Sequence, residues 1–230
     1  MKKTGGKWKS KEDCIYFIAS QVESLIHGQK ACNNLLIAVN EINTEDHIKT
    51  IESWCESGKN VFIDSGVFNL TNEHMRAHGI TMDEALALPP SKIDGFSELL
   101  EKYYSIIDRI GNKVWGYIEV DQGGKENKRK TRAKIEGDGY SPIPVYHPLV
   151  DGWDYFDELA ENYDRICFGN VVHADRNTRL RLMATAWERR RKYPNLWIHL
   201  LGMTPNEWAP AVPVTSSDSI TWLRLDMWST

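Results

Sequence analysis

Four carboxylates stand where short apolar runs give way to small or polar residues. They are Asp64 after Val61-Phe62-Ile63, Glu119 and Asp121 within 114–121, and Asp218 just past 212–216. Carboxylates in unlike surroundings suit acid–base and nucleophilic chemistry, because one can be held protonated while another stays charged. Asp64 leads into Ser65-Gly66, where the glycine permits a tight turn and close approach of a ligand to the backbone. Capping that turn is the structural alternative for Asp64, as capping the following segment, 219–225, is for Asp218. Glu119 and Asp121 are two apart on an extended run, which places both side chains on one side. Other run ends carry Asn40, His147 before Pro148, Gly169-Asn170 and Gly202. The histidine also fits a hydrogen-bonded structural role, and the glycines fit plain turns.

Positioning these groups falls to the runs themselves: 15–19, 35–39, 61–64, 114–121, 143–146, 165–168, 196–201 and 212–216. Each is continuously apolar or β-branched, the pattern of a strand buried on both faces in a parallel sheet. Between them lie segments with helical spacing. In 44–57, Thr44 is an N-cap and Ile48, Ile51 and Trp54 share a face; 96–110 carries Leu99, Tyr103, Ile106 and Ile110 before Gly111. Segments 154–163 and 177–193 follow, the latter ending before Pro194. Eight strands alternating with helices predict a near-minimal (β/α)8 TIM barrel, with an open doubly wound sheet as the alternative. The whole of 1–230 reads as one domain, with 1–12 a basic tail and the eighth helix cut short. In such a barrel the strand C-termini form the active face, where all four carboxylates would repel one another unless a ligand or a proton intervenes.

The chain has 230 residues, 41% apolar and 26% charged, and a formal charge of −4. That balance gives no global attraction for nucleic acid, so any such contact needs a local patch. One exists in the sequence: Lys125, Lys128, Arg129, Lys130 and Arg132 follow Asp121 directly. They read either as a solvated helix face or as phosphate contacts at the rim of the mouth. Cys14, Cys32, Cys55 and Cys167 lie far apart, which argues against a zinc ribbon or a disulfide framework and fits reduced thiols in a cytoplasm. No apolar run reaches the ~20 residues of a membrane span. The strand ends offer one histidine and no His-x-His pair, so no metal and no cofactor is expected.

Read in order, the strand ends resemble the tRNA-guanine transglycosylase-like superfamily. Ile63-Asp64-Ser65-Gly66-Val67-Phe68 is similar to its Asp-Ser-Gly-Gly-Phe-Gln segment, and Val120-Asp121-Gln122 to the site of its base-recognising aspartate. His147 stands where the family has a recognition glutamine. Phe168-Gly169-Asn170 resembles the Gly-Gly-Leu strand end, and His199-Leu200-Leu201-Gly202 the Leu-Met-Gly-Val-Gly segment. Ser216-Ser217-Asp218-Ser219-Ile220-Thr221-Trp222 looks like the nucleophile region of phage 7-deazaguanine DNA transglycosylase-like proteins. The family's zinc-binding Cys module has no counterpart, since only residues 219–230 follow Asp218.

The resemblance implies Asp218 as a nucleophile at C1′ of a guanosine nucleotide and Asp64 as sugar contact and general base. Asp121 would read the purine edge, and Ser65, Gly66, Glu119, His147, Gly169, Asn170 and Gly202 would line the substrate. It implies exchange of guanine for a 7-deazaguanine-type base in DNA rather than tRNA, with the flipped nucleotide entering the mouth. It leaves room for a homodimer or a partner protein, and for a host cytoplasm if the gene is carried by a phage. An N-glycoside hydrolase on the same fold and a non-catalytic nucleic-acid-binding barrel are the competing readings.

Overall fold

The structure, a computed structural model, describes residues 15–204 and 216–223. Eight parallel strands run β1 (Ile15–Ala19), β2 (Asn34–Ala38), β3 (Asn60–Asp64), β4 (Gly116–Tyr117), β5 (Val145–Tyr146), β6 (Arg165–Phe168), β7 (Trp197–Leu200) and β8 (Ser216–Ser219). The ladder order is β4-β3-β2-β1-β8-β7-β6-β5. The two ends of that ladder meet through a parallel bridge between Ile118 and Ile143. Glu119 N–H donates to Ile143 O at 2.9 Å and Ile143 N–H to Tyr117 O at 2.8 Å, so the sheet closes on itself. The chain is an (β/α)8 barrel of the TIM type, and the open-sheet alternative falls.

Period-two alternation sorts the strand residues into two layers. Phe17, Leu36, Phe62, Trp115, Ile118, Val145, Cys167 and Trp197 fill the lumen. Their strand neighbours Ile18, Leu35, Ile37, Val61, Ile63 and Tyr117 face outward to the helices. Helices α1 (Val22–Gly28), α2 (Glu45–Glu56), α3 (Val67–His78), α4 (Met82–Ala87), α5 (Phe96–Ile110), α6 (Gly124–Gly137), α7 (Trp153–Asn162) and α8 (Arg176–Arg190) form the outer ring. α2 begins where Thr44 accepts the His47 N–H at 3.2 Å, the capping its sequence predicts. α5 buries Phe96, Leu99, Tyr103, Ile106, Ile107 and Ile110, its apolar stripe.

Two expectations need correction. The run through 114–121 keeps strand geometry only to Ile118, so side alternation stops there and Glu119 and Asp121 part company. Gln122-Gly123 leads straight into α6. Gly123 takes φ +86°, and buried Gln122 donates from Nε2 to Ala85 O at 2.9 Å and Leu88 O at 2.8 Å. Asp218 lies within β8, opposite Phe17, rather than past the strand end. The expected strand 212–216 falls outside the described residues except for Ser216, as does the basic tail. Among the described residues no helix is long and apolar enough to cross a membrane.

Candidate active site

Asp64 closes β3 two residues beyond lumen-facing Phe62, and so stands above the packed layer on the same side. Burial, then the charges of Asp121 and Asp218, push its carboxyl up to about 7, against the pull of the Ser65 and Gly66 backbone N–H groups. A carboxyl at that value trades its proton near neutral pH, which is what a general acid–base needs. The Asp64–Asp121–Asp218 coupling brings together three of the four sequence-predicted acids.

Asp218 is held on one oxygen. Its Oδ1 accepts the Gly202 N–H at 3.0 Å and lies 3.1 Å from His199 Nε2. His199 Nδ1 lies 2.8 Å from Ser216 Oγ, which accepts the Trp197 Nε1–H at 2.7 Å. The indole can only donate and a carboxylate can only accept, so His199 presents Nε2–H to Asp218. Phe62 and Phe17 pack against the imidazole at centroid distances of 4.8 and 5.8 Å. The ring is therefore locked and the aspartate inherits its orientation. Asp218 Oδ2 makes no hydrogen bond among the described residues, and is the oxygen left for an incoming electrophile. This geometry removes the turn-capping alternative for Asp218.

Asp121 pairs with His147, Oδ2 to Nε2 at 3.0 Å. Burial opposes its charge, but the hydrogen bond and charge of His147, with help from Lys128, hold the carboxyl below the usual range. Gly169 makes that pairing sterically possible: a Cβ there would come within 2.6 Å of His147 Cδ2 and Nε2. Gly66 has a comparable reason. With φ +79° it starts α3, and a Cβ there would land on Asn40 Oδ1 at 1.5 Å. Asn40 Oδ1 is itself buried with no hydrogen-bond partner. Ser65 is buried, its Oγ accepting the Val67 N–H at 3.4 Å, and Asn170 takes φ 63° at the end of β6. Gly202 serves Asp218 through its N–H.

Glu119 does not join the acid cluster. Arg132 Nη1 donates to its Oε2 at 2.7 Å and the Val145 N–H to its Oε1 at 2.6 Å, so both oxygens are spent between β4 and α6. The basic stretch is corrected with it. Lys128 is fully buried, donating to Val145 O at 3.0 Å and ion-paired with Asp151. Arg132 is buried by Glu119, and Arg129 is paired with Glu158 and Glu126. None of these three presents a free cation at the rim. Lys125 reaches Asp154 at 3.6 Å, and Lys130 stays exposed.

His199 is the residue sequence reasoning named only within a family segment and not as part of the site. Its signal was there: a lone polar residue at a lumen position of a strand buried on both faces. Away from the mouth, His74 and His78 of α3 converge on Asp94, a grouping that inspection of strand ends does not reach.

No family model and no curated protein matches the chain. Among solved structures, a protein described as a phosphonomutase of Burkholderia cenocepacia J2315 aligns at TM-score 0.41 with 9% identity, covering 93% of this chain and 90% of that one. CdNal of Clostridium difficile, solved with mannosamine, aligns at TM-score 0.41 with 14% identity over 93% and 72%. Likeness at this level carries no argument about chemistry, and the barrel rests on its own strand ladder.

Proposed function

We propose that the chain is a base-exchange transglycosylase acting on an N-glycosidic bond to guanine and replacing the base with a 7-deazaguanine derivative. The carrying observation is the pairing of unlike carboxyls: Asp218 locked through Oδ1 with Oδ2 free, beside Asp64 poised near neutrality. In the first step Asp218 Oδ2 bonds to C1′ as the C1′–N9 bond breaks, and its electron pair leaves with the purine. The oxocarbenium-like transition state is cationic, which a carboxylate stabilises and then traps as a glycosyl ester. Protonated Asp64 supplies the proton that the departing base requires. The incoming base gives its proton to Asp64 and its electron pair to C1′, releasing Asp218, so the cycle closes with no net proton change. Asp121, held by His147 through Oδ2, offers its other oxygen as an acceptor to the edge of a purine, the pattern that discriminates by leaving wrong partners unpaired.

A polymer acceptor with DNA ahead of tRNA remains the favoured form of this proposal, on the family resemblance. One observation favours a second reading, an N-glycoside hydrolase acting on a small nucleoside. Four of the five cations assigned to phosphates are engaged in ion pairs. Exchange of labelled guanine into DNA and, in parallel, tRNA tests both, with Asp218→Asn as control. Label entering a polymer with wild type alone supports exchange. Free base released with no label incorporated supports the hydrolase, and no reaction with a folded protein overturns both.

A further inference from the structure

α3 places His74 and His78 four residues apart, hence on one helical face, and the turn before α5 brings Asp94 against them. His74 Nδ1 lies 3.1 Å and His78 Nε2 2.6 Å from the same oxygen, Asp94 Oδ2. The two rings sit 4.2 Å apart, centroid to centroid. One nitrogen from each histidine and one Asp94 oxygen all fall within 4.8 Å of one another. Ligands around tetrahedral Zn²⁺, with bonds of about 2.0–2.2 Å, stand roughly 3.3 Å apart. The present spacing reaches that figure with movements of about an ångström or less. Two imidazoles and one carboxylate form a donor set suited to zinc, nickel or copper, and poor for calcium or magnesium, which take oxygen ligands.

We propose that His74, His78 and Asp94 form a zinc-binding site, with water completing the coordination, separate from the carboxylates of the mouth. Its place in the fold gives it a purpose. α3 starts at Gly66, directly after Asp64, and the chain then makes the α4 excursion before returning through Asp94 to α5. A cation held by both ends of that excursion ties α3 to the start of α5 and thereby steadies the turn carrying Asp64. His74 is buried, and its Nδ1 would release the Asp94 N–H, 3.2 Å away, to take the ion. His78 and Asp94 are open to solvent and give the ion its way in, their side chains 50% and 71% exposed.

The test is titration of the chelator-stripped full chain, carrying no polyhistidine tag, with Zn²⁺, with Co²⁺ as a spectroscopic reporter of coordination. We expect one equivalent bound, visible Co²⁺ absorption that Zn²⁺ displaces, and no response to Mg²⁺ or Ca²⁺. Thermal unfolding should rise by about 5–10 °C when free zinc is ~100 times its dissociation constant. His78→Ala, at a half-exposed position that leaves the fold intact, should weaken binding by at least ~100-fold, beyond the ~10–100-fold typical of an outer-shell partner. Asp94→Asn should abolish the Co²⁺ spectrum in a protein whose circular dichroism is unchanged. Equal zinc affinity in wild type and His78→Ala would place the ion elsewhere and overturn the site, as would no binding by folded wild type.

Discussion

Two sets of buried acids share this barrel and are treated in opposite ways. Between β4, β5 and α6, Glu119 meets Arg132 and Asp151 meets Lys128, each carboxylate matched by a buried cation from the helix that follows β4. Across the mouth, Asp64 and Asp218 have no cation among the described residues. They are held by backbone N–H groups and one histidine, and the charge of Asp218 disfavours that of Asp64. Internal neutralisation marks a structural acid, because isolated buried charge is costly and pairing is the usual remedy. Carboxylates left facing one another instead store a preference for a cationic visitor or a proton, which is chemistry held ready.

That contrast can be broken most sharply at Asp218. Asp218→Asn keeps an acceptor for Gly202 and His199, so the fold should persist while base exchange falls by about 10⁴-fold, roughly 5 kcal/mol of barrier. Thermal unfolding beside the exchange assay checks both halves, and an equal loss of stability would make Asp218 a structural acid too. The reverse pattern is expected at Arg132. Arg132→Met strands Glu119 and should cost about 3–5 kcal/mol in denaturant unfolding, while the double variant with Glu119→Gln recovers much of that loss. His199→Phe retains the ring packing and removes the hold on Asp218. It should lower kcat by about 10- to 100-fold, the equivalent of one charged hydrogen bond of ~1.5–3 kcal/mol, with KM little changed.

The smallest effect is read by carboxyl NMR titration of Asp64. Its midpoint should lie near 7 in wild type and move down in Asp218→Asn, once a neighbouring charge is gone. The sign of the stability linkage follows. A proton held up to about 7 in the folded chain, but only to ~3.9 when unfolded, stabilises fully below about pH 4. That contribution is lost as pH rises towards 7. Asp64→Asn should flatten this slope in denaturant midpoints measured from pH 4 to 8, and an unchanged slope would mean Asp64 is ordinarily ionised.

The strand ends were legible because strands buried on both faces leave a continuous apolar signature, and the residue that follows each is thereby located. Asp64 was located in that way, whereas Asp218 lies inside β8, whose Ser216-Ser217-Asp218-Ser219 carries no apolar signature. Glu119 misled because two-residue alternation holds only while the backbone is extended, and the ladder ends at Ile118. The basic stretch misled because composition reports charge but not the partner. Lys128 and Arg132 turn inward to acids 23 and 13 residues away in sequence, a pairing that no local pattern announces. His199 sat unmarked within Trp197-Ile198-His199-Leu200 because its role depends on Ser216 and Asp218, distant in the chain and adjacent only once β7 and β8 pair.

The closure between β4 and β5 has a consequence for how the molecule breathes. Elsewhere neighbouring strands share a named ladder, but here the sheet is joined by one bridge and the hydrogen bonds around Ile143. The helix-facing apolar packing divides at the same place, one cluster serving β1 to β4 and another β5 to β7. The molecule is thus two stacked halves with a seam, riveted from outside by α6. In native-state hydrogen exchange, the amides of Glu119 and Ile143 should be released by a local opening well below the global unfolding energy, while those of β2 and β3 wait for the whole barrel to come apart.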